Sequence, residues 1–323
     1  MRALVVAVAL IAGSAHDQQS VPLPGGPPVD MDYLAYDAAS RRLFIPAGNT
    51  GKVDVLDTSS GKLSSMDGWP TAQAGNRLQG PSAATVGGRY LYVGNRADSS
   101  ICAVELASLA RKGCITMPSP PDGVFFVAPT REVWVTLPRQ GSLQVLGLAD
   151  PAAPVLAGTI ALEGEPEGYA VDEQRGLVFT NLRNKDKTLV IDARTRKTLA
   201  AHEPGCGTTG PRGIAVDPEK RLLFVACAAG GVKALDAAGK ILGEVKTGAG
   251  VDNIDYLATR RRIYVASGKE GTLTVAEAKA DGTLKPVFTA KTAPGGRTVI
   301  VDGAGAAYVP DSKEGRLILI RPP

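Results

Sequence analysis

The sequence predicts an all-β protein, a seven-bladed β-propeller of four-stranded antiparallel blades. Two observations carry this prediction. Glycine and proline, with 38 and 23 of the 323 residues, are too frequent for long helices and favour short strands joined by turns. An apolar–aromatic–apolar triplet also recurs at intervals of 40 to 48 residues, a period typical of propeller blades. With 44% hydrophobic and 21% charged residues, the composition excludes wholesale disorder.

Seven copies of the triplet mark seven blades. Their central residues are Phe44, Tyr92, Trp134, Phe179, Phe224, Tyr264 and Tyr308. A short apolar strand such as 213–217 precedes the aromatic strand, and a loop rich in Gly, Asn or Lys follows it. A third strand, as in 53–57, and after a turn a fourth, as in 241–245, complete the unit. This order predicts one antiparallel meander for each blade.

The last copy ends with RLILIRPP (316–323) and has no fourth strand of its own. The segment from Ser20 to Leu23 can supply it, which would close the ring by pairing the N- and C-terminal segments. Closure hides sheet edges that otherwise invite aggregation. We therefore expect a single propeller domain over residues 16–323. An open β-solenoid or two smaller domains is the alternative.

Residues 1–15 (MRALVVAVALIAGSA) have the pattern of a secretory signal peptide, with Arg2, an apolar run from Leu4 to Ile11 and small residues up to Ala15. The alternative is a membrane anchor, but the run is only half of the ~20 residues that a spanning helix needs. We therefore expect a secreted or periplasmic protein without a transmembrane segment.

The four cysteines fit an oxidising compartment. Cys102 and Cys114 lie on consecutive strand-like segments, and Cys206 precedes an inner strand whose neighbour ends at Cys227. Antiparallel pairing brings each pair together, so we predict the disulfides Cys102–Cys114 and Cys206–Cys227. A zinc site is the alternative, but the chain has no CxxC pair and only two His.

The repeat resembles the YVTN-type family of β-propellers, which is grouped with lactonase-like propellers. The resemblance rests on YVGN (92–95), YVAS (264–267) and YVPD (308–311), each followed by a Gly-containing loop. The segments 53–63 and 188–199 share the family's strand–Asp–turn–Lys order. The resemblance implies a secreted or periplasmic scaffold and no single shared reaction.

In a propeller, loops from several blades converge at the mouth of the central channel, a concave surface of the kind that binds ligands. We aligned the seven units on the Pro-x-Gly that begins the inner strand of the fifth. This places one residue from each blade at the mouth: Asp32, Ser82, Asp122, Glu167, Arg212, Asp252 and Arg297. Charged side chains rarely face inward unless they are paired or bind something.

Two interpretations of this ring compete. In the first, its acids offer oxygen ligands to Ca²⁺ or Mg²⁺, and other members bind an anionic ligand. The candidate metal ligands are Asp32, Asp122, Glu167 and Asp252. The candidate ligand-binding residues are Ser82, Arg212 and Arg297. In the second interpretation, the arginines pair with the acids across a water-filled channel and the ring binds nothing.

The ring is also similar to that of gluconolactonase-type propellers, which hold one divalent cation with a Glu, two Asn and an Asp. The four inward acids of the ring motivate a hydrolase hypothesis in which a bound cation polarises a carbonyl group and Glu167 activates water. The ring departs from that set because it lacks the two Asn; Asn253 is adjacent to a ring position. We expect His16 and His202 outside the channel, with His202 at the surface, which disfavours Ser–His–Asp triads and His-based metal centres.

The leading functional hypothesis is a ligand- or protein-binding scaffold that acts through the channel mouth. The alternative is a divalent-metal-dependent hydrolase of the lactonase or esterase type, so whether the chain is an enzyme stays open. The expected partner is a small anionic ligand or a protein. Nucleic acid is not expected, because 36 basic and 32 acidic residues give a net charge of only +4. We expect a monomer.

Overall fold

The computed structural model describes residues 18–323, and in this part of the chain the all-β prediction is confirmed. Seven four-stranded antiparallel sheets make up the fold. Neighbouring blades contact one another through their innermost strands or, between blades 3 and 4, through the second strand of one and the innermost strand of the other, and the innermost strand of the last blade contacts that of the first. The fold is therefore a closed seven-bladed propeller. The predicted signal peptide (1–15) and His16 lie outside the described residues.

The strands follow one another with short connections. The first fifteen are β1 (Gln18–Pro22), β2 (Ala35–Asp37), β3 (Arg42–Ala47), β4 (Lys52–Asp57), β5 (Leu63–Met66), β6 (Ala72–Ala74), β7 (Arg77–Gln79), β8 (Pro81–Gly87), β9 (Tyr90–Asn95), β10 (Ser100–Glu105), β11 (Arg111–Thr116), β12 (Val124–Val127), β13 (Glu132–Leu137), β14 (Ser142–Gly147) and β15 (Val155–Ala161). The other fifteen are β16 (Pro166–Asp172), β17 (Leu177–Leu182), β18 (Lys187–Asp192), β19 (Thr198–His202), β20 (Pro211–Asp217), β21 (Leu222–Cys227), β22 (Val232–Leu235), β23 (Ile241–Val245), β24 (Ile254–Leu257), β25 (Arg262–Ser267), β26 (Thr272–Ala278), β27 (Leu284–Lys291), β28 (Ile300–Val301), β29 (Ala307–Asp311) and β30 (Arg316–Ile320).

Four one-turn 3-10 helices lie in loops: Gly48–Thr50, Pro138–Gln140, Gly207–Thr209 and Ala258–Arg260. Blades 1 to 6 are β2–β5, β8–β11, β12–β15, β16–β19, β20–β23 and β24–β27, and blade 7 combines β28–β30 with β1. Within residues 18–323, no helix has the length and apolar character needed to cross a membrane.

The repeat aromatic residue lies in the second strand of each blade and is buried, with at most 8% of its surface exposed. Neighbouring sheets pack against each other around these side chains, as where Phe44 of blade 1 and Val93 of blade 2 share one cluster. The core is therefore sheet on sheet, which is why the sequence repeats the same apolar pattern in every blade.

The ring closes as the sequence predicted. Strand β1 pairs antiparallel with β30, and Ser20 lies opposite Ile318. Val21 packs beside the buried Leu317 in one cluster, and the backbone N–H of Leu23 donates to the carbonyl of Gly315 at 2.9 Å. Both predicted disulfides are also confirmed, Cys102–Cys114 within blade 2 and Cys206–Cys227 in blade 5.

Two features differ from the sequence expectation. A hairpin of β6 and β7 lies between blades 1 and 2, and it accounts for the longest interval of the repeat, the 48 residues from Phe44 to Tyr92.

The prediction that His202 lies at the surface is wrong. Its side chain ends the outer strand of blade 4 and is only 8% exposed, because it packs against Gly239, where a Cβ would lie 2.3 Å from the ring. Burial lowers the pKa of His202.

Candidate functional site

A cavity of about 490 Å³ lies at the mouth of the central channel. Six of the seven residues aligned in the sequence line it: Asp32, Asp122, Glu167, Arg212, Asp252 and Arg297. Ser82 lies in an adjoining recess with Asp30 and Arg77. Its buried Oγ has no hydrogen-bond partner among residues 18–323.

Glycines next to ring residues let the inner strands approach one another closely. A Cβ on Gly168 would lie 2.3 Å from the carbonyl oxygen of Arg212, and one on Gly213 would lie 2.8 Å from the backbone nitrogen of Ile254. Only glycine fits such contacts between backbones. The glycine of the Pro-x-Gly pattern therefore allows the short distance between neighbouring inner strands at the mouth.

Arg96 joins two of the ring acids. Its Nη2 lies 2.7 Å from Oδ2 of Asp32 and 2.5 Å from Oδ1 of Asp122, and its Nε donates to the carbonyl of Pro121 at 3.3 Å. The two acids come from the starts of blades 1 and 3, and Arg96 comes from blade 2 between them. One guanidinium group therefore ties three adjacent blades at the mouth.

Glu167 is held by two arginines. Nη1 of Arg183 lies 2.9 Å from its Oε2, and Nη1 of Arg212 lies 3.5 Å from the same oxygen. The Nε of Arg183 also donates to Glu165 at 2.7 Å. Arg212 makes the longer contact, so much of its hydrogen-bonding capacity remains for another acceptor.

Arg297 and Arg139 are the most exposed cations of the cavity. Arg297 is 49% exposed at its side chain although its Nε lies 2.8 Å from Asp252 and its Nη2 lies 3.6 Å from Asp32. Arg139 lies in the 3-10 helix of blade 3 and is exposed. It forms no ion pair with any described residue.

Arg96 and Arg183 were missed at the sequence level, although a signal for them exists. Each lies four residues after the repeat aromatic of its blade, Tyr92 and Phe179 respectively. The second strand runs antiparallel to the inner strand, so its last residues return to the mouth, as where Pro81 pairs with Asn95. An alignment of both positions would have found the arginines that pair with the ring acids.

An aromatic stack lies below the ring. Tyr33 stacks on Tyr169 with ring centres 5.6 Å apart, and Tyr169 stacks on Phe125 at 4.3 Å. Burial raises the pKa of Tyr33 well above its ordinary value, and all four ring acids raise it further. The Tyr33 hydroxyl is therefore neutral and lies among the acids. A second cavity, of about 290 Å³, is lined by residues further along the inner strands and shares Asp32 with the mouth.

Burial also raises the pKa values of three of the ring acids. It raises the pKa of Asp122 to about 6, with Arg96 opposing the shift. Burial and the neighbouring Asp122 and Asp252 raise the pKa of Glu167 to about 9, against the effect of Arg183 and Arg212. Burial also raises the pKa of Asp252, and the neighbouring Asp32 raises it further. The lining of the mouth has five arginines and four acids, so the acids do not fully neutralise the arginines.

This arrangement can bind an oxyanion. Guanidinium groups match carboxylate and phosphate geometry, and here buried acids hold them in place before any ligand arrives. The candidate metal ligands each face an arginine, and within residues 18–323 no three His, Cys, Asp or Glu side chains are grouped so that they could hold a metal ion. The Ca²⁺ or Mg²⁺ site stays a prediction.

Comparison with known proteins extends only to the fold. No family model matches the sequence, and no curated protein matches it. A chain of the mitotic checkpoint complex is 15% identical, with a TM-score of 0.77 over 100% of this chain and 99% of that one. Hydrazine synthase of Kuenenia stuttgartiensis is 13% identical, with a TM-score of 0.75 over 97% of this chain and 99% of that one. The β-propeller domain of Myceliophteria thermophila Cps50 (Swd1) is 10% identical, with a TM-score of 0.72 over 92% and 98%.

Proposed function

We propose that the chain is a binding protein that takes up a small anionic ligand at the mouth of its central channel. The observation that carries the proposal is the set of arginines around the 490 Å³ cavity, above all Arg139, Arg212 and Arg297. Arg139 is unpaired within the described chain, Arg212 reaches its acid only at 3.5 Å, and Arg297 is half-exposed. Each of these three guanidinium groups therefore has N–H donors available for a ligand.

The shape of the site favours a small molecule over a protein surface. Its volume of about 490 Å³ lies within the range of about 300–1,000 Å³ that is usual for ligand pockets. A protein partner would need a broader surface of about 800 Å² on each side. The propellers in the solved complexes are far too distant in sequence to suggest a partner.

We place this activity in the periplasm or outside the cell. The two disulfides support that compartment, because such bonds persist where thiols are oxidised. Secretion would use the signal peptide predicted at residues 1–15, and the proposal keeps the expected monomer.

Calorimetric titration with citrate and inorganic phosphate as probes tests the proposal. We expect saturable binding that weakens with salt, and about tenfold or greater loss of affinity in an Arg139→Gln/Arg212→Gln variant. The matched control is Arg41→Gln/Arg260→Gln, which removes two exposed arginines elsewhere. No saturable binding, or equal affinity in both variants, would contradict the proposal.

A metal titration separates this function from the hydrolase alternative. The acids accept arginine hydrogen bonds, and both Arg183 and Arg212 already contact Oε2 of Glu167. We therefore expect that Ca²⁺ and Mg²⁺ leave the thermal midpoint of the chelator-treated protein unchanged. A saturable rise that disappears in Asp122→Asn would show a specific metal site by linkage and would call for a screen of lactones and esters.

A further inference from the structure

A second cavity with cationic walls lies on the face opposite the mouth. It has a volume of about 280 Å³ and lies at the seam of blades 2 and 3. Inner strands begin at the mouth, so the turns that follow them, β8 to β9 and β12 to β13, lie at the opposite face. These turns supply Arg89 and Arg131 to the cavity.

The charged lining of this groove is entirely basic. Arg89 and Arg131 are exposed, and within residues 18–323 neither side chain forms an ion pair or a hydrogen bond. Glu105 lies within electrostatic range of Arg89, but it already accepts a hydrogen bond from Ser108 at 2.7 Å and pairs with Lys112 at 3.4 Å. Asp150 acts on Tyr92 in the floor of the groove, and its Oδ1 accepts a hydrogen bond from the backbone N–H of Ala152. Within the described residues, neither acid forms an ion pair with Arg89 or Arg131.

Aromatic rings form the floor between the arginines. Tyr90 and Phe126 are half-buried there, and the buried Tyr92 donates its hydroxyl to the carbonyl of Pro151 at 3.1 Å. A Cβ on Gly87 would lie 2.5 Å from the Phe126 ring, so that ring rests directly on backbone. The groove thus offers flat apolar faces next to two cations.

Arg89 and Arg131 occupy the same position of the sequence repeat. It lies three residues before the repeat aromatic and is Gly in blades 4 and 7 but Arg in the other five. Arg131 adopts a left-handed φ of 54° there, and Arg41, Arg221 and Arg261 adopt nearly the same φ in their blades, whereas in blade 2 the left-handed residue is Gly88. The conformation therefore belongs to the repeated turn, and what distinguishes Arg89 and Arg131 is that both line one cavity.

We infer that this groove binds an aromatic oxyanion, a flat ring that carries a carboxylate or a phosphate. The anionic group would sit between Arg89 and Arg131, whose planar forks match either head group. The ring would stack on Tyr90 and Phe126. An anion without a ring would gain only the first contact, so both parts of the ligand contribute to affinity.

Calorimetry with phenyl phosphate, benzoate and inorganic phosphate tests this inference. Because small anions are also proposed to bind at the channel mouth, the titrations use the Arg139→Gln/Arg212→Gln background, in which at least one aromatic probe should bind saturably and more tightly than inorganic phosphate. An Arg89→Gln/Arg131→Gln variant should lose about tenfold or more of that affinity. Gly87→Ala displaces the Phe126 ring without changing any charge and should also weaken binding. The relative affinities of benzoate and phenyl phosphate identify the preferred head group.

One control in the Arg139→Gln/Arg212→Gln background locates the site. Arg41→Gln/Arg260→Gln removes the same charge from turns outside the groove and should keep the affinity of that background for the aromatic probe. The inference is overturned if neither aromatic probe binds in that background, if inorganic phosphate binds there as tightly as phenyl phosphate, or if adding Arg89→Gln/Arg131→Gln leaves the affinity unchanged.

Discussion

Arg297 and Asp252 are joined twice. The Nε of Arg297 lies 2.8 Å from Oδ2 of Asp252, and the backbone N–H of Asp252 donates to the carbonyl of Arg297 at 3.0 Å. These residues precede the inner strands of blades 7 and 6, so the contact fixes one blade start against the next. A guanidinium group held in this way loses little entropy when it binds an anion, which favours affinity.

Replacing Arg96 with methionine should strongly destabilise the protein. The substitution leaves Asp32 and Asp122, 9% and 18% exposed at their side chains, without a shared cation. Removing one partner from a buried ion pair costs about 3–5 kcal/mol. Urea denaturation measures the change in the free energy of unfolding.

Arg77→Met is the matched control for that substitution. Arg77 and its partner Asp30 are 66% and 39% exposed, and exposed pairs contribute at most about 1 kcal/mol. If both variants lost the same small amount, the pairing of Arg96 would not be holding the mouth together.

The sequence predicted the fold better than it predicted the site, for a physical reason. A propeller repeats one burial pattern, so residues such as Trp134 and Tyr264 occur at a regular spacing in the sequence. The position four residues after the repeat aromatic is arginine in only two of the seven units. Arg96 and Arg183 reach the ring from loops after second strands, and only the folded chain shows which acid each one meets. The β6–β7 hairpin was also missed, because its polar sequence has no apolar pattern to read.

Truncation of Trp134 tests the predicted packing of the blades. Its side chain is fully buried, and its Nε1 donates to Glu132 at 3.0 Å. Trp134→Ala should lower the free energy of unfolding by about 3–5 kcal/mol, because it leaves a cavity that the sheets cannot refill. Leu199→Ala, at a side chain 59% exposed, should change it by no more than about 0.5 kcal/mol. Similar values for the two would contradict the burial.

Removal of the N-terminal strand tests ring closure. A chain that begins at Gly25 lacks β1, so β30 becomes an unpaired edge strand. Such edges template association with other chains. Compared with a chain that begins at His16, we expect a lower thermal midpoint and concentration-dependent self-association in sedimentation. A monomer with an unchanged midpoint would show that β1 adds nothing to closure.

Glu167→Gln should make the protein more stable at neutral and alkaline pH and leave it unchanged in acid. Burial raises the pKa of Glu167 to about 9 in the folded chain, against an ordinary value of about 4.3. A group with a raised pKa stabilises the fold fully below its unfolded pKa, and this contribution is lost as the pH rises through the folded pKa. Glutamine imitates the protonated form at every pH. Urea denaturation at about pH 4 and about pH 8, which lie on either side of the ordinary pKa of glutamate, measures the difference in the free energy of unfolding between the variant and the wild type.

Glu163→Gln serves as the control, because Glu163 is 80% exposed at its side chain and, within residues 18–323, its one ion pair is with Lys187 at 3.3 Å. It should show no comparable pH-dependent gain. A Glu167→Gln variant that is less stable than wild type at about pH 8 would mean that Arg183 and Arg212 hold the carboxyl group ionised. In that case the mouth would have one more negative charge, and anions would bind there more weakly than the arginines alone suggest.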